Sequence, residues 1–131
     1  MIVVGLGKAG CNIAKAFSKF PQYQTFGIDT NSDADITIKA KKSHEEYDSS
    51  FPDLKRKLKF KDEDVLVVLA GAGQISGGSL RLLEQLSKNR LTVLYIEGDL
   101  TIMSEIQKKQ ERIVSSVLQE YARSGVLERI I

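Results

Sequence analysis

A β-branched run, Ile2-Val3-Val4, passes straight into Gly5-Leu6-Gly7-Lys8-Ala9-Gly10, and a helical apolar pattern follows at once. No other stretch restricts the fold as much. The run reads as a buried parallel strand, and the glycines form a complete G-x-G-x-x-G at a strand-to-helix junction. Without β-carbons the chain can turn sharply and approach a phosphate, while the N–H groups of the first helical turn point at the anion. Lys8 can add a charge-assisted contact to phosphate or extend into water. Asn12 can hydrogen-bond a phosphate or a base, or simply cap and pack. A tight turn with no ligand is the alternative for the loop as a whole.

The remaining sequence alternates between strand and helix patterns. A helix from about Gly10 would place Ile13, Phe17 and Phe20 on one face and stop before Pro21. Gln24 to Asp29 reads as a second strand and Ile36-Thr37-Ile38 as a short third. Lys41 to Ser50 reads as a polar surface loop with room for a short helix. Asp53 to Phe60 suggests another helix with Leu54, Leu58 and Phe60 inward. Val65 to Leu69 is the strongest strand pattern, a helix follows from Ser79 to Lys88, and Leu91 to Ile96 is the next strand. The longest helix spans Ser104 to Ser124, with Gly125 as its stop. This alternation predicts a single domain over residues 1–131, an α/β doubly wound, Rossmann-like parallel sheet with helices on both faces. Val126 to Ile131 looks like the approach to a further strand, which leaves open an excised or truncated domain or a frayed terminus.

Composition excludes several classes. The formal charge of +2 comes from scattered basic residues and gives no ground for a nucleic-acid surface. No apolar run nears the ~18 residues of a membrane helix, and Met1 leads into a strand rather than a signal peptide. The single cysteine, Cys11, forms no internal disulfide, which suggests a reducing, cytoplasmic setting. It reads as a small packing residue or, less simply, a reactive thiol. The lone histidine, His44, sits in the polar loop with no Ser or Cys nucleophile placed beside it, so a hydrolytic triad is not supported.

Two further features bear on the ligand. Asp29 ends the second strand about 20 residues after the first glycine loop, where a dinucleotide-binding domain carries its ribose-binding carboxylate. That would suit NAD(H); a turn or cap is the alternative role. The second feature is Gly71-Ala72-Gly73-Gln74-Ile75-Ser76-Gly77-Gly78-Ser79, which also follows a buried strand and opens a helix. It supplies backbone donors and hydroxyls able to wrap a second anionic group, and no Walker loop is present. A dinucleotide fold needs no second glycine loop of this length.

Together the two loops resemble the nucleotide-binding half of the tubulin/FtsZ family. Gly5, Gly7, Gly10 and Asn12 match that family's G-x-G-x-x-G-x-N. Ala70 to Ser79 follows the frame of its A-G-x-G-G-G-T-G-T-G loop, with Gly71, Gly73 and Gly77 matching, Ser76 for a threonine, and Gln74 and Ile75 departing from glycine. Asn31-Ser32-Asp33-Ala34 is similar to the N-T-D-A of the bacterial members, a segment close to the phosphates and their metal. The resemblance covers the chain in order, but only these three segments are specific. It implies binding of GTP or GDP with Mg²⁺, and head-to-tail self-association in which an acidic loop of the next subunit completes hydrolysis. That loop is absent from these residues, and nothing here supplies a catalytic base. The resemblance also implies a ribose-binding glutamate near the last long helix, for which Glu105 is the candidate and Glu97 its rival, with Lys108, Lys109 or Arg112 as the basic neighbour. A non-catalytic interaction module on the same fold is a third reading.

Overall fold

A computed structural model describes residues 1–60, 63–98 and 101–131. Six strands, β1 Ile2–Leu6, β2 Gln24–Asp29, β3 Ile36–Thr37, β4 Asp64–Ala70, β5 Arg90–Ile96 and β6 Leu127–Ile130, form one sheet in the order β3-β2-β1-β4-β5-β6. Every pairing is parallel; Val4 stands opposite Phe26 on one side and Val67 on the other. The helices are α1 Gly7–Phe17, α2 His44–Ser49, α3 Ser79–Gln85 and α4 Glu105–Arg123, with a 3-10 turn over Gln74–Gly78.

Because strand side chains alternate, the sheet carries two cores. On one face Val3, Leu66 and Val68 meet Ala14, Ile13 and Phe17 of α1. On the other, Val4, Leu6, Val67, Leu69 and Val93 meet Tyr47 of α2, Leu82 and Leu83 of α3, and Val114 and Leu118 of α4. Both faces of the central strands are therefore covered, which explains why Val65–Leu69 contains no polar residue: each of its five side chains is buried. A fully buried Val or Leu contributes roughly 1.5–3 kcal/mol before chain entropy is counted.

Several local expectations change. Helix α1 starts at Gly7, and its buried positions are Gly7, Gly10 and Ala14. Phe20 lies beyond the helix, is 53% exposed and packs edge-on to Tyr23. The segment from Asp53 to Phe60 makes one turn rather than a helix, closed by Leu58 N–H to the Leu54 carbonyl at 3.0 Å. Leu54 and Leu58 still point inward. The Leu54 N–H is taken by the Gln85 side chain at 2.8 Å, an anchor with no local sequence signal. The polar stretch before it holds α2, capped by Ser43 on the Glu46 N–H, with His44 and Tyr47 buried. Helix α4 matches its expected limits: Ser104 and Gln107 form a capping box, and Gly125 follows with φ +85°. The terminal segment completes β6 at the sheet edge. Among the described residues no helix is long and apolar enough to cross a membrane.

Candidate functional site

In this strand order the chain reverses direction across the sheet between β1 and β4, and open α/β sheets bind ligands outside the carboxyl ends of strands at such a switch point. Both glycine loops are there, one leaving β1 and the other leaving β4.

The glycines of the first loop divide their tasks. Gly7 has φ +79°, a conformation that costs glycine little and other residues much. Gly5 and Gly10 allow close packing instead. A β-carbon on Gly10 would lie 2.5 Å from the Val68 carbonyl, and one on Gly5 would collide with the backbone of Gly10. Helix α1 thus lies directly on β1 and β4. Its first turn has no side-chain cap and no acidic residue, and Lys8 and Ala9 are exposed there.

Lys8 and Asn12 face the end of β2 across a cleft of about 600 Å³, which Asp29, Asn31 and Asp33 also line. The Asp29 carboxylate accepts the Thr30 N–H at 2.8 Å and the Asn31 amide at 3.3 Å, while Asn31 Oδ1 accepts the Asp33 N–H at 3.1 Å. Asp35, not singled out from the sequence, accepts the Gly27 N–H at 2.7 Å and borders the same cleft. Cys11 donates to the Ile28 carbonyl at 3.4 Å. Burial, then the charges of Asp29 and Asp35, push its thiol up to about 11. Such a thiol is a packing group rather than a nucleophile.

The second loop is wound and braced, not an open glycine-rich turn. Gln74–Gly78 makes a 3-10 turn that runs on into α3. The Ser76 hydroxyl, 2% exposed, donates toward the Gly73 carbonyl at 2.6 Å and the Gly71 carbonyl at 2.9 Å. His44 Nε2 lies 3.1 Å from the same oxygen. The expectation that His44 has no serine beside it is therefore corrected, because α2 packs its buried face on the 3-10 turn. The pair is still no nucleophile and base. Ser76 has one proton and two carbonyls compete for it, so Nε2 donates and the serine oxygen accepts. Burial lowers the imidazole pKa against the opposing charges of Glu45 and Asp48, which suits a neutral ring.

The loop's other glycines also serve contacts. A β-carbon on Gly77 would collide with the His44 carbonyl, on Gly78 with the Phe51 ring, and on Gly71 with the Tyr95 hydroxyl. Gly73 alone among them has open space around it. Ile75 reaches the first loop: its Cγ2 lies 2.8 Å from where a Gly7 β-carbon would stand. Gln74 is exposed beside it and Ala72 is half-buried.

Past β5, Glu97 is exposed, and a β-carbon on the next residue, Gly98, would lie 3.5 Å from Ala72. Glu105 opens α4, 87% exposed, and pairs with Lys108 at 3.4 Å. Sequence reasoning passed over Glu111, which is buried and accepts the Gly98 N–H at 2.8 Å. Its spacing to Val114 and Leu118 is the signal that places it on the buried stripe.

Lys8, Asn12, Asp29, Asn31 and Asp33 thus share one cleft, and Gly7 meets Ile75 above the sheet. Ser76 and Gly77 line a different pocket, on the far side of the second loop. No group of three or more His, Cys, Asp or Glu among the described residues is placed to hold a metal ion. No protein-family model, curated protein or solved structure matches this chain significantly.

Proposed function

We propose that this chain is a nucleotide-binding domain that takes GTP or GDP with Mg²⁺ across the two glycine loops, in the manner of the tubulin/FtsZ family it resembles. The observation that carries the reading is the placement of both loops at one topological switch point, touching through Gly7 and Ile75. The uncapped first turn of α1, with Lys8 in it, supports an anion there. Mg²⁺ on nucleotide phosphates keeps several waters and needs only one or two protein carboxylates. Asp33, in the cleft with Lys8 and in the segment that resembles the family's N-T-D-A, is the candidate, and no dedicated cage is required. In this reading Glu97, whose neighbour Gly98 lies beside Ala72, is the better ribose candidate than Glu105, which pairs with Lys108. Backbone donors and the metal would stabilise phosphate charge, and hydrolysis would wait on an acidic loop from a neighbouring copy in a head-to-tail, cytoplasmic assembly.

A second reading, NAD(H) binding, is favoured by one observation: Asp29 ends β2 and lines the cleft beside Asn12. It leaves the second glycine loop without a role.

Thermal shift with GTP, GDP, ATP and NADH, with and without Mg²⁺, separates the two. A ligand at 100 times its Kd stabilises by ~2.7 kcal/mol. Stabilisation by guanine nucleotides that survives Asp29→Asn but is lost in Gly73→Leu supports the first reading. Stabilisation by NADH alone, lost with Asp29, replaces it with the second. Gly77 is a poor probe, because any side chain there displaces the His44 backbone.

A further inference from the structure

Behind the second glycine loop, on the sheet face opposite α1, a half-open pocket of about 180 Å³ lies among α2, the start of α3 and α4. Its wall is aliphatic, made by Leu80, Ile113, Val114, Val117 and Leu118. Two buried oxygens of its lining residues, Asp48 Oδ1 and Ser79 Oγ, have no hydrogen-bond partner, and of these only Asp48 is ion-paired. Ser79 is 3% exposed, and its Oγ has no hydrogen-bond partner. A buried hydroxyl left so costs free energy that any apt partner would recover. Ser76 is held by His44 and two carbonyls, and Arg81 Nε pairs the Asp48 carboxylate at 3.2 Å. Glu45 stands exposed at the rim.

We propose that this pocket binds a small neutral molecule with one aromatic ring and one hydroxyl, of the phenol or aromatic-alcohol class, with its hydroxyl on Ser79 Oγ. Size sets the body: an apolar cavity of about 150 Å³ accepts benzene, so this pocket takes one ring with a small head. Charge sets the head. Glu45 and Asp48 disfavour a carboxylate, and because Arg81 already neutralises Asp48, an ammonium gains little. Ser79 can donate to or accept from a hydroxyl, and toluene offers it nothing. The proposal is independent of nucleotide binding at the switch point.

The test is titration of the whole chain with p-cresol, toluene and 4-methylbenzoate, followed by amide chemical shifts. Saturable shifts of Ser79, Leu80 and Val117 are expected with p-cresol at about ten-fold lower concentration than with toluene, and 4-methylbenzoate should bind most weakly. Val117→Phe should fill the pocket and abolish all three responses. Ser79→Ala, which removes an unsatisfied group and so keeps the fold, should leave toluene unchanged and erase the p-cresol advantage. Equal affinity for p-cresol and toluene, or a p-cresol advantage that persists in Ser79→Ala, overturns the proposal. Shifts of Val117 that follow protein concentration without ligand overturn it too, and assign the pocket to a side chain of another copy.

Discussion

His44 Nε2 and Ser76 Oγ, 32 positions apart, meet at 3.1 Å on the buried side of the second glycine loop. The bond ties α2 to the 3-10 turn that β4 feeds, so the loop at the switch point is fixed from behind by a side chain on another element. Loop geometry and the protonation of one imidazole are thereby linked.

That link gives a pH dependence with a definite sign. Burial holds the His44 pKa below its ordinary 6.5, with Glu45 and Asp48 opposing. Between the folded value and 6.5 the unfolded chain binds more protons, so stability rises with pH across that window. The stabilisation is complete above about 6.5 and is lost as pH falls toward the folded value. Urea midpoints from pH 8 to 5 should decline through this range. His44→Gln should flatten the decline, and the chain has no second histidine to mask the change.

Ser76→Ala removes the acceptor for the imidazole N–H and the donor that two carbonyls share. A buried donor left without a partner costs about 1–3 kcal/mol, and urea denaturation should show a loss in that range. Combined with His44→Gln, the double-mutant cycle should return a coupling of roughly 0.5–3 kcal/mol. Additive losses would mean that the two residues act separately.

Cys11 should be slow to react. With its thiol pushed up to about 11, the thiolate fraction at pH 8 is on the order of a thousandth, well below that of a free cysteine. Labelling with a disulfide reagent at pH 8 should proceed on the order of a hundred-fold faster in urea than in the folded protein. Equal rates would contradict both the burial and the contacts of Sγ with the Ile28 and Gly5 carbonyls.

The strands were legible because the sheet buries them on both faces, so Val65–Leu69 has one reading. The two glycine loops were legible because their spacing is local. What sequence could not show depends on partners far along the chain. His44 looked solvated because its neighbours in sequence are polar, whereas its neighbours in space are Ser76 and Gly77. The segment from Asp53 gave its inward residues correctly and its helix wrongly, and its anchor, Gln85 on the Leu54 N–H, lies 31 positions away. Glu111 was hidden by its charge, although its spacing matched the buried stripe of α4.

Glycines in the two loops separate fold from ligand. Gly10→Ala sets a β-carbon 2.5 Å from the Val68 carbonyl and 3.3 Å from Gly5, backbone against backbone, with no flexible side chain to yield. It should lower stability by about 1–3 kcal/mol or more, as overpacking does, whether or not a ligand is present. Gly73 has φ −76° and nothing within 4 Å of its would-be β-carbon. Gly73→Ala should therefore stay within about 0.5 kcal/mol of the parent in urea. Gly73→Leu should keep the parent Tm without ligand and lose the shift that guanine nucleotides give the parent protein. If Gly73→Leu instead bound nucleotide as tightly as the parent, the space beside Gly73 would not be where the phosphates lie, and the crevice on the Asp29 side of the first loop would have to hold the whole ligand.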